Sequence, residues 1–385
     1  MLKNFNYLSL LFLVLKPFFL WPSPVQDSQD SLVNALSSIQ SDEQRAEAYY
    51  QLALLQAEDL KLGTANAESS LNLFSSIDDL NGIVKSSVLL GEYYYKQDSL
   101  KKSAFVLKSI EEIEQEYWTE TALFKYNNYL GIINEFSGNY LVSIEFFLTA
   151  FSEAEKATDT LNMGISTHNL AGLYTLMDSV DLAIEKQKEA LKYFEKVNHF
   201  NYTTNAYVNM AQWYFMSGEY ERSKYYQNIA QNRLIESSDY YGLVFNYEGI
   251  ALVYKTLNEP DTSYFYFKQG LTLLENHSDE IANANWTKVY LLVGLAETYY
   301  EFGEKDSALR YIQLAHREAK SFDSFEDFQT VYLPLSTIYE DAGLKDSALH
   351  FYKLYHEVSD KKFKEGSKKS IANVLLKHEL LLLEK

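Results

Sequence analysis

The sequence predicts an all-α fold: an α-solenoid of about eight helix-turn-helix repeats followed by a C-terminal helix. Three observations predict it. A small residue recurs at Ala53, Gly91, Gly131, Ala171, Ala211, Ala251, Ala296 and Ser336, at spacings of 38, 40, 40, 40, 40, 45 and 40 residues. Three positions after this anchor stands a tyrosine in six repeats: Tyr94, Tyr174, Tyr214, Tyr254, Tyr299 and Tyr339. Gln56 and Asn134 are the exceptions. Seven positions after it stand Asp98, Gly138, Asp178, Gly218, Asn258, Gly303 and Gly343, with Leu60 out of line. Gly, Asn and Asp tolerate the left-handed conformation that closes a helix. A fixed period of this size marks stacked helical repeats, because one helix pair cannot bury its apolar face alone.

In chain order, residues 1–25 read as a secretory signal peptide. Lys3 gives a positive start, Phe5 to Leu15 an apolar stretch, and Pro22 and Pro24 end it, with cleavage placed before Gln26. Lys16 interrupts the apolar run and no Ala-x-Ala site follows, so an uncleaved anchor and a plain hydrophobic N-terminus stay open. A polar entry over 26–44 caps the first repeat. The solenoid then runs to residue 360, and 204–237 shows its layout. Ala211 and Tyr214 lie on the first helix, Gly218 breaks it, and Ser223 and Ala230 lie on the second. Twelve positions after each anchor the residue is again small: Ala65, Ser103, Ser143, Ala183, Ser223, Ser263, Ala308 and Ala348. Two close-packed helices need such a residue where their backbones approach. The 45-residue step, over 273–290, is expected to bend the solenoid or divide it into two segments. Residues 361–385 carry seven Lys against three Glu, and Ile371, Leu375 and Leu382 lie on one helical face. This amphipathic helix caps the last repeat, pairs as a coiled coil or leads into a membrane segment.

The anchor, the tyrosine, the turn residue and the small residues of the second helix together resemble the tetratricopeptide repeat (TPR), from about Asp42 to Asp360. The period is 40 rather than 34, so six extra residues are expected in the second helix or its exit loop. An export signal, a Gln-Asp-Ser-rich entry and repeats ending in a Lys-rich helix further resemble the periplasmic sensor regions of bacterial TPR-containing two-component histidine kinases and regulators. That resemblance implies the input half of a signalling system. No kinase glycine boxes and no phosphoacceptor histidine motif around His378 occur in the sequence.

The formal net charge of −19 argues against nucleic-acid binding, and the absence of cysteine removes disulfides and thiol nucleophiles. The seven histidines form no i, i+3 or i, i+4 pair, and no phosphate loop is present. Neither a cofactor, a metal site nor catalysis is expected. Adjacent acids such as Glu111 and Glu112 read as solvated helix faces.

In TPR proteins the first helices line a concave groove that holds extended peptides or partner helices. The resemblance places the residues three before, two before, one after and four after each anchor towards it. In the middle repeats these include Asn128, Glu135, His168, Asn169, Asn209, Gln212 and Phe215. A side-chain amide donates and accepts at once, so a row of Asn and Gln suits a sequence-tolerant grip on a peptide backbone. The competing reading is that each amide is solvated or bonds to the neighbouring repeat. Lys85 and Lys125, six before their anchors, add positive charge at the groove edge. The carboxylate clamp of chaperone-tail-binding TPRs needs several basic residues together, and these two lie in separate places. No specific binding of acidic C-terminal tails is expected. The candidate partner-binding set is Lys125, Asn128, His168, Asn169, Asn209, Gln212 and Phe215. The expected function is a non-catalytic, exported, peptide- or protein-binding sensor or scaffold; the alternative is a cytoplasmic adaptor.

Overall fold

The computed structural model describes residues 32–281, 284–319 and 329–360. The apolar N-terminal stretch and the Lys-rich segment 361–385 lie outside the described residues. Among the described residues the architecture is all-α, with no strand and no helix long and apolar enough to cross a membrane.

The first four helix pairs are α1 (Asp42–Leu55) with α2 (Leu60–Ser76), α3 (Leu80–Lys96) with α4 (Leu100–Lys108), α5 (Glu120–Phe136) with α6 (Tyr140–Lys156), and α7 (Thr160–Leu176) with α8 (Val180–Lys196). The next four are α9 (Phe200–Met216) with α10 (Tyr220–Glu236), α11 (Tyr240–Thr256) with α12 (Pro260–Asn276), α13 (Ala284–Glu301) with α14 (Lys305–Ala319), and α15 (Gln329–Asp341) with α16 (345–360). These are consecutive antiparallel TPR-like pairs, and each of the eight anchors lies on the first helix of its pair.

The helices fall into two compact units. The N-terminal unit ends with residues up to Leu173 and adds Lys188–His199; the C-terminal unit holds Tyr174–Gln187 and everything described from Phe200 onward. Within the N-terminal unit α1 packs on α3, and α3 on α5. Within the C-terminal unit α9, α11, α13 and α15 meet in the same way. First helices of successive pairs therefore form one continuous side of each unit.

The anchors are small because a facing side chain fills their place. A Cβ on Gly131 would come within 2.5 Å of Phe147, and one on Gly91 within 2.8 Å of Leu107. The small residue of the second helix is also polar for a reason. The Ser103, Ser143 and Ser223 hydroxyls donate to the carbonyls of the anchors Gly91, Gly131 and Ala211 at 2.7–2.8 Å, and all three serines are fully buried. Each hydroxyl thus satisfies its own hydrogen-bonding demand at the tightest point of the pair.

The turn residues behave as the spacing requires. Asp98, Gly138, Asp178, Gly218, Asn258, Gly303 and Gly343 all have φ between 55 and 82°. A second left-handed series, not foreseen from the sequence, closes the second helices at Asp78, Thr158, Asn198 and Ser238. The structural period is consequently 20 residues, one helix plus a three-residue connector. From α5 to α12 every helix is 17 residues long. The extra length over a 34-residue repeat is therefore not confined to the second helix or its exit loop; the two helices of a pair are equal in length.

Three local departures have physical causes. α1 has 14 residues and ends two residues after Ala53, so Gln56 and Leu60 fall outside the usual positions. In α2 the expected Ala65 is exposed, and buried Gly63 makes room instead for the Tyr93 ring of α3. α4 stops after nine residues, and the chain continues through a 3-10 turn, Gln115–Tyr117. At the 40-related position Trp118 takes an extended conformation with φ −100°, where a bulky residue avoids the left-handed region. Its indole N–H donates to the Ile113 carbonyl, and its ring meets Tyr126 edge-on at 4.8 Å. The five extra residues of the 45-residue step open the gap between α12 and α13 to 277–283 and give α13 an 18th residue. The boundary between the two units lies elsewhere, around residues 174–200.

Candidate functional site

The side formed by the first helices is the expected binding face, and each unit presents its own part of it.

In the N-terminal unit, polar links join successive first helices. Glu47 on α1 pairs with Lys85 on α3, whose ammonium also lies 4.8 Å from the Phe74 ring centroid. Glu92 on α3 receives Lys96 at 2.7 Å and Lys125 of α5 at 2.8 Å. Burial alone would raise the Glu92 carboxyl; the Lys125 and Lys96 ammoniums overcome it and hold it down to about 2. Asn169 of α7 donates from Nδ2 to Oδ1 of Asn128 on α5 at 2.7 Å. His168 turns its ring edge-on to Phe194 of α8, 6.0 Å between centroids.

These contacts revise the expected roles. Lys85 and Lys125 do not lie in separate places: they line one small crevice with Tyr50, Leu89, Thr119 and Thr121. Each is nevertheless paired with a carboxylate, so neither offers an uncompensated positive charge. Asn128, buried at 7% exposure, and Asn169 bond to each other across neighbouring repeats. One further group on this face stands apart. Glu135, half-buried near the end of α5, has no cation beside it, and burial pushes its carboxyl up to about 8.

In the C-terminal unit, Asn209, Gln212 and Phe215 follow one another at helical spacing along α9, all half-buried. Phe215 tilts against the Tyr220 ring at 5.7 Å. Asn209 forms no hydrogen bond with a described side chain. Lys255 of α11 reaches Glu301 at 2.9 Å and Glu297 at 3.5 Å, both on α13. Glu248 on α11 is buried at 7% exposure, and burial alone pushes its carboxyl up to about 7.

Between the paired helices of this unit runs a pattern that the sequence reading missed. The tyrosine three past each anchor stacks on an aromatic fifteen past the same anchor. Tyr214–Tyr226, Tyr254–Tyr266 and Tyr299–Tyr311 lie at 5.4, 6.0 and 5.3 Å with interplanar angles of 3–7°. Tyr339–Phe351 continues the series at 5.8 Å and 25°. The recurrence of an aromatic at 226, 266, 311 and 351 was the available signal. Among the described residues no group of three or more His, Asp or Glu is placed to hold a metal ion.

Neither a protein-family model nor a curated protein sequence matches the chain. Solved structures do match in fold. One is a Signal Transduction ATPase with Numerous Domains (STAND) protein with a tetratricopeptide repeat sensor from Pyrococcus horikoshii, with TM-score 0.61 and 16% identity. That match covers 85% of this chain and 47% of the other, so the chain spans about half the length of that protein. A Rap protein complexed with Competence and Sporulation Factor matches at TM-score 0.56 and 14% identity, over 86% of this chain and 98% of the other. NprR in complex with its cognate peptide NprX matches at TM-score 0.53 and 18% identity, over 93% and 99%. The likeness at these identities is one of fold, TPR-like helical repeats shared with known sensors.

Proposed function

We propose that this chain is a non-catalytic TPR-like module that binds a peptide or an extended protein segment along its first helices, as a sensor or scaffold. The observation that carries the reading is the face itself: half-buried amides and an aromatic at helical spacing on α9, with Asn209 not engaged by another side chain. A peptide backbone needs this combination of donor, acceptor and apolar contact. The fold likeness to NprR and Rap, solved with a peptide and with a sporulation factor respectively, supports the same reading. The apolar stretch ahead of Gln26 supports export, with the chain acting as the input region of a signalling system. An intact mass matching residues 26–385 in protein from its own cells tests that part.

The binding reading is tested by selecting displayed dodecapeptides on the purified chain. The Asn209→Ala variant should lose at least tenfold in affinity for a selected peptide while its melting temperature falls by only a few degrees. Unchanged affinity in that variant overturns the assignment.

A further inference from the structure

We propose that Glu135, with Asn169 and the open space beside Gly172, forms a receiving site for a cationic group of the bound chain, an alkylammonium or a guanidinium. The inference rests on the peptide-binding reading above and names the chemistry of one contact within it.

Two other repeats show what the Glu135 position meets. Glu135 stands four past its anchor, Gly131. Four past Gly91 stands Tyr95, whose ring lies 5.4 Å from Tyr129, two before the next anchor. Four past Ala251 stands Lys255, which bonds to Glu297, one past the next anchor. By the same register, the two places that correspond for Glu135 are Asn169 and Gly172, both on α7 and both in the N-terminal unit.

The chemistry at the two ends of this comparison differs. At Lys255 the position holds a cation and the next helix supplies the carboxylates, so the charge is settled within the protein. At Glu135 the position holds the carboxylate, and the next helix supplies no cation. Gly172 stands where Glu297 stands, and a Cβ built on it would meet nothing within 4 Å. Asn169 spends an N–H of Nδ2 on Asn128, and its Oδ1 is a further acceptor. Once ionised, the Glu135 carboxyl and the Asn169 amide oxygen form beside this open space an acceptor pair without a donor, and a cation is what favours that ionised form. Among the Lys and Arg residues on the first helices of this unit, Lys85, Lys96 and Lys125 are each held by Glu47 or Glu92, and Arg45 by Asp42. A half-buried carboxylate left alone is costly, and an incoming cation removes that cost. The protein's net charge of −19 draws such a ligand towards it.

The test uses four small probes on the purified chain, read by ligand-observed NMR titration. They are N-acetylated, C-amidated Gly-Lys-Gly, Gly-Arg-Gly and Gly-norleucine-Gly, and Gly-Gly-Gly amide with a free amine. The lysine or arginine probe, or the free-amine probe, should bind at least tenfold more tightly than the norleucine probe. The preferred probe identifies the source of the cation as a side chain or a chain terminus. Glu135→Gln should abolish the preference without lowering the melting temperature. Gly172→Leu, which extends a side chain into the open space and replaces a helix-interior glycine with a better helix former, should weaken the cationic probe at least fivefold. The site is overturned if the norleucine probe binds as well as the cationic ones, if Glu135→Gln leaves the preference intact, or if no probe binds the wild-type chain. None of these results bears on dodecapeptide binding through Asn209, which is read separately.

Discussion

Replacing Glu248 by glutamine should stabilise the C-terminal unit at alkaline pH and leave it nearly unchanged at acid pH. Glu248 lies on α11 at 7% exposure with no cation beside it. Burial moves its carboxyl from the ordinary 4.5 up to about 7. A carboxyl raised in the folded state binds a proton there that the unfolded chain has already lost. Between about pH 4.5 and pH 7 the folded state therefore holds more protons, and stability falls as pH rises. At about 1.4 kcal/mol per pKa unit, the fall sums to about 3 kcal/mol once the group is ionised. Glutamine has nearly the same shape and never ionises, so it removes this slope. Urea unfolding of parent and variant at about pH 5 and pH 8.5 measures the difference, and amide hydrogen exchange on α11 assigns it to this unit. The expected gain is about 3 kcal/mol at the higher pH and under about 1 kcal/mol at the lower. Parallel pH profiles for the two proteins would refute the reasoning, because Glu248 would then be ionised in the fold at no cost.

Other perturbations separate the remaining contacts. Glu92 is the opposite case: its folded carboxyl sits at about 2, so its stabilisation is present above about 4.5 and lost as pH falls towards 2. Glu92→Gln should flatten the acid limb of the stability profile and, by leaving Lys125 and Lys96 without their carboxylate, cost about 2–3 kcal/mol near neutral pH in chemical denaturation. Ser223→Ala removes a buried hydrogen bond to the Ala211 carbonyl and should cost about 1 kcal/mol, whereas Ser263→Ala removes a buried hydroxyl with no partner and should be neutral or stabilising. Thr158 is β-branched at φ 55°, so Thr158→Gly should raise stability by about 1 kcal/mol and an unchanged or lower melting temperature would count against strain there. A double-mutant cycle of Tyr299→Leu with Tyr311→Leu, whose rings are nearly parallel at 5.3 Å, should return a coupling of about 0.5–1.5 kcal/mol.

The sequence by itself determined the repeat. Anchor, tyrosine and turn residue are requirements of local backbone geometry and of the closest approach between two adjacent helices. Such requirements recur in each pair and leave a period that can be read directly. Seven turn residues chosen for their tolerance of the left-handed region all adopt it. What the sequence left hidden is what depends on the neighbour. That Asn128 faces Asn169, that Lys125 faces Glu92, and that Glu135 faces no cation are relations between residues 33 to 41 positions apart, or the lack of one. A spacing pattern says which face a residue is on, but not whether the side chain opposite completes its hydrogen bonds or its charge. Only tertiary packing decides that, because the same amide or carboxylate is a structural link when a partner stands across from it and an open contact when a glycine does.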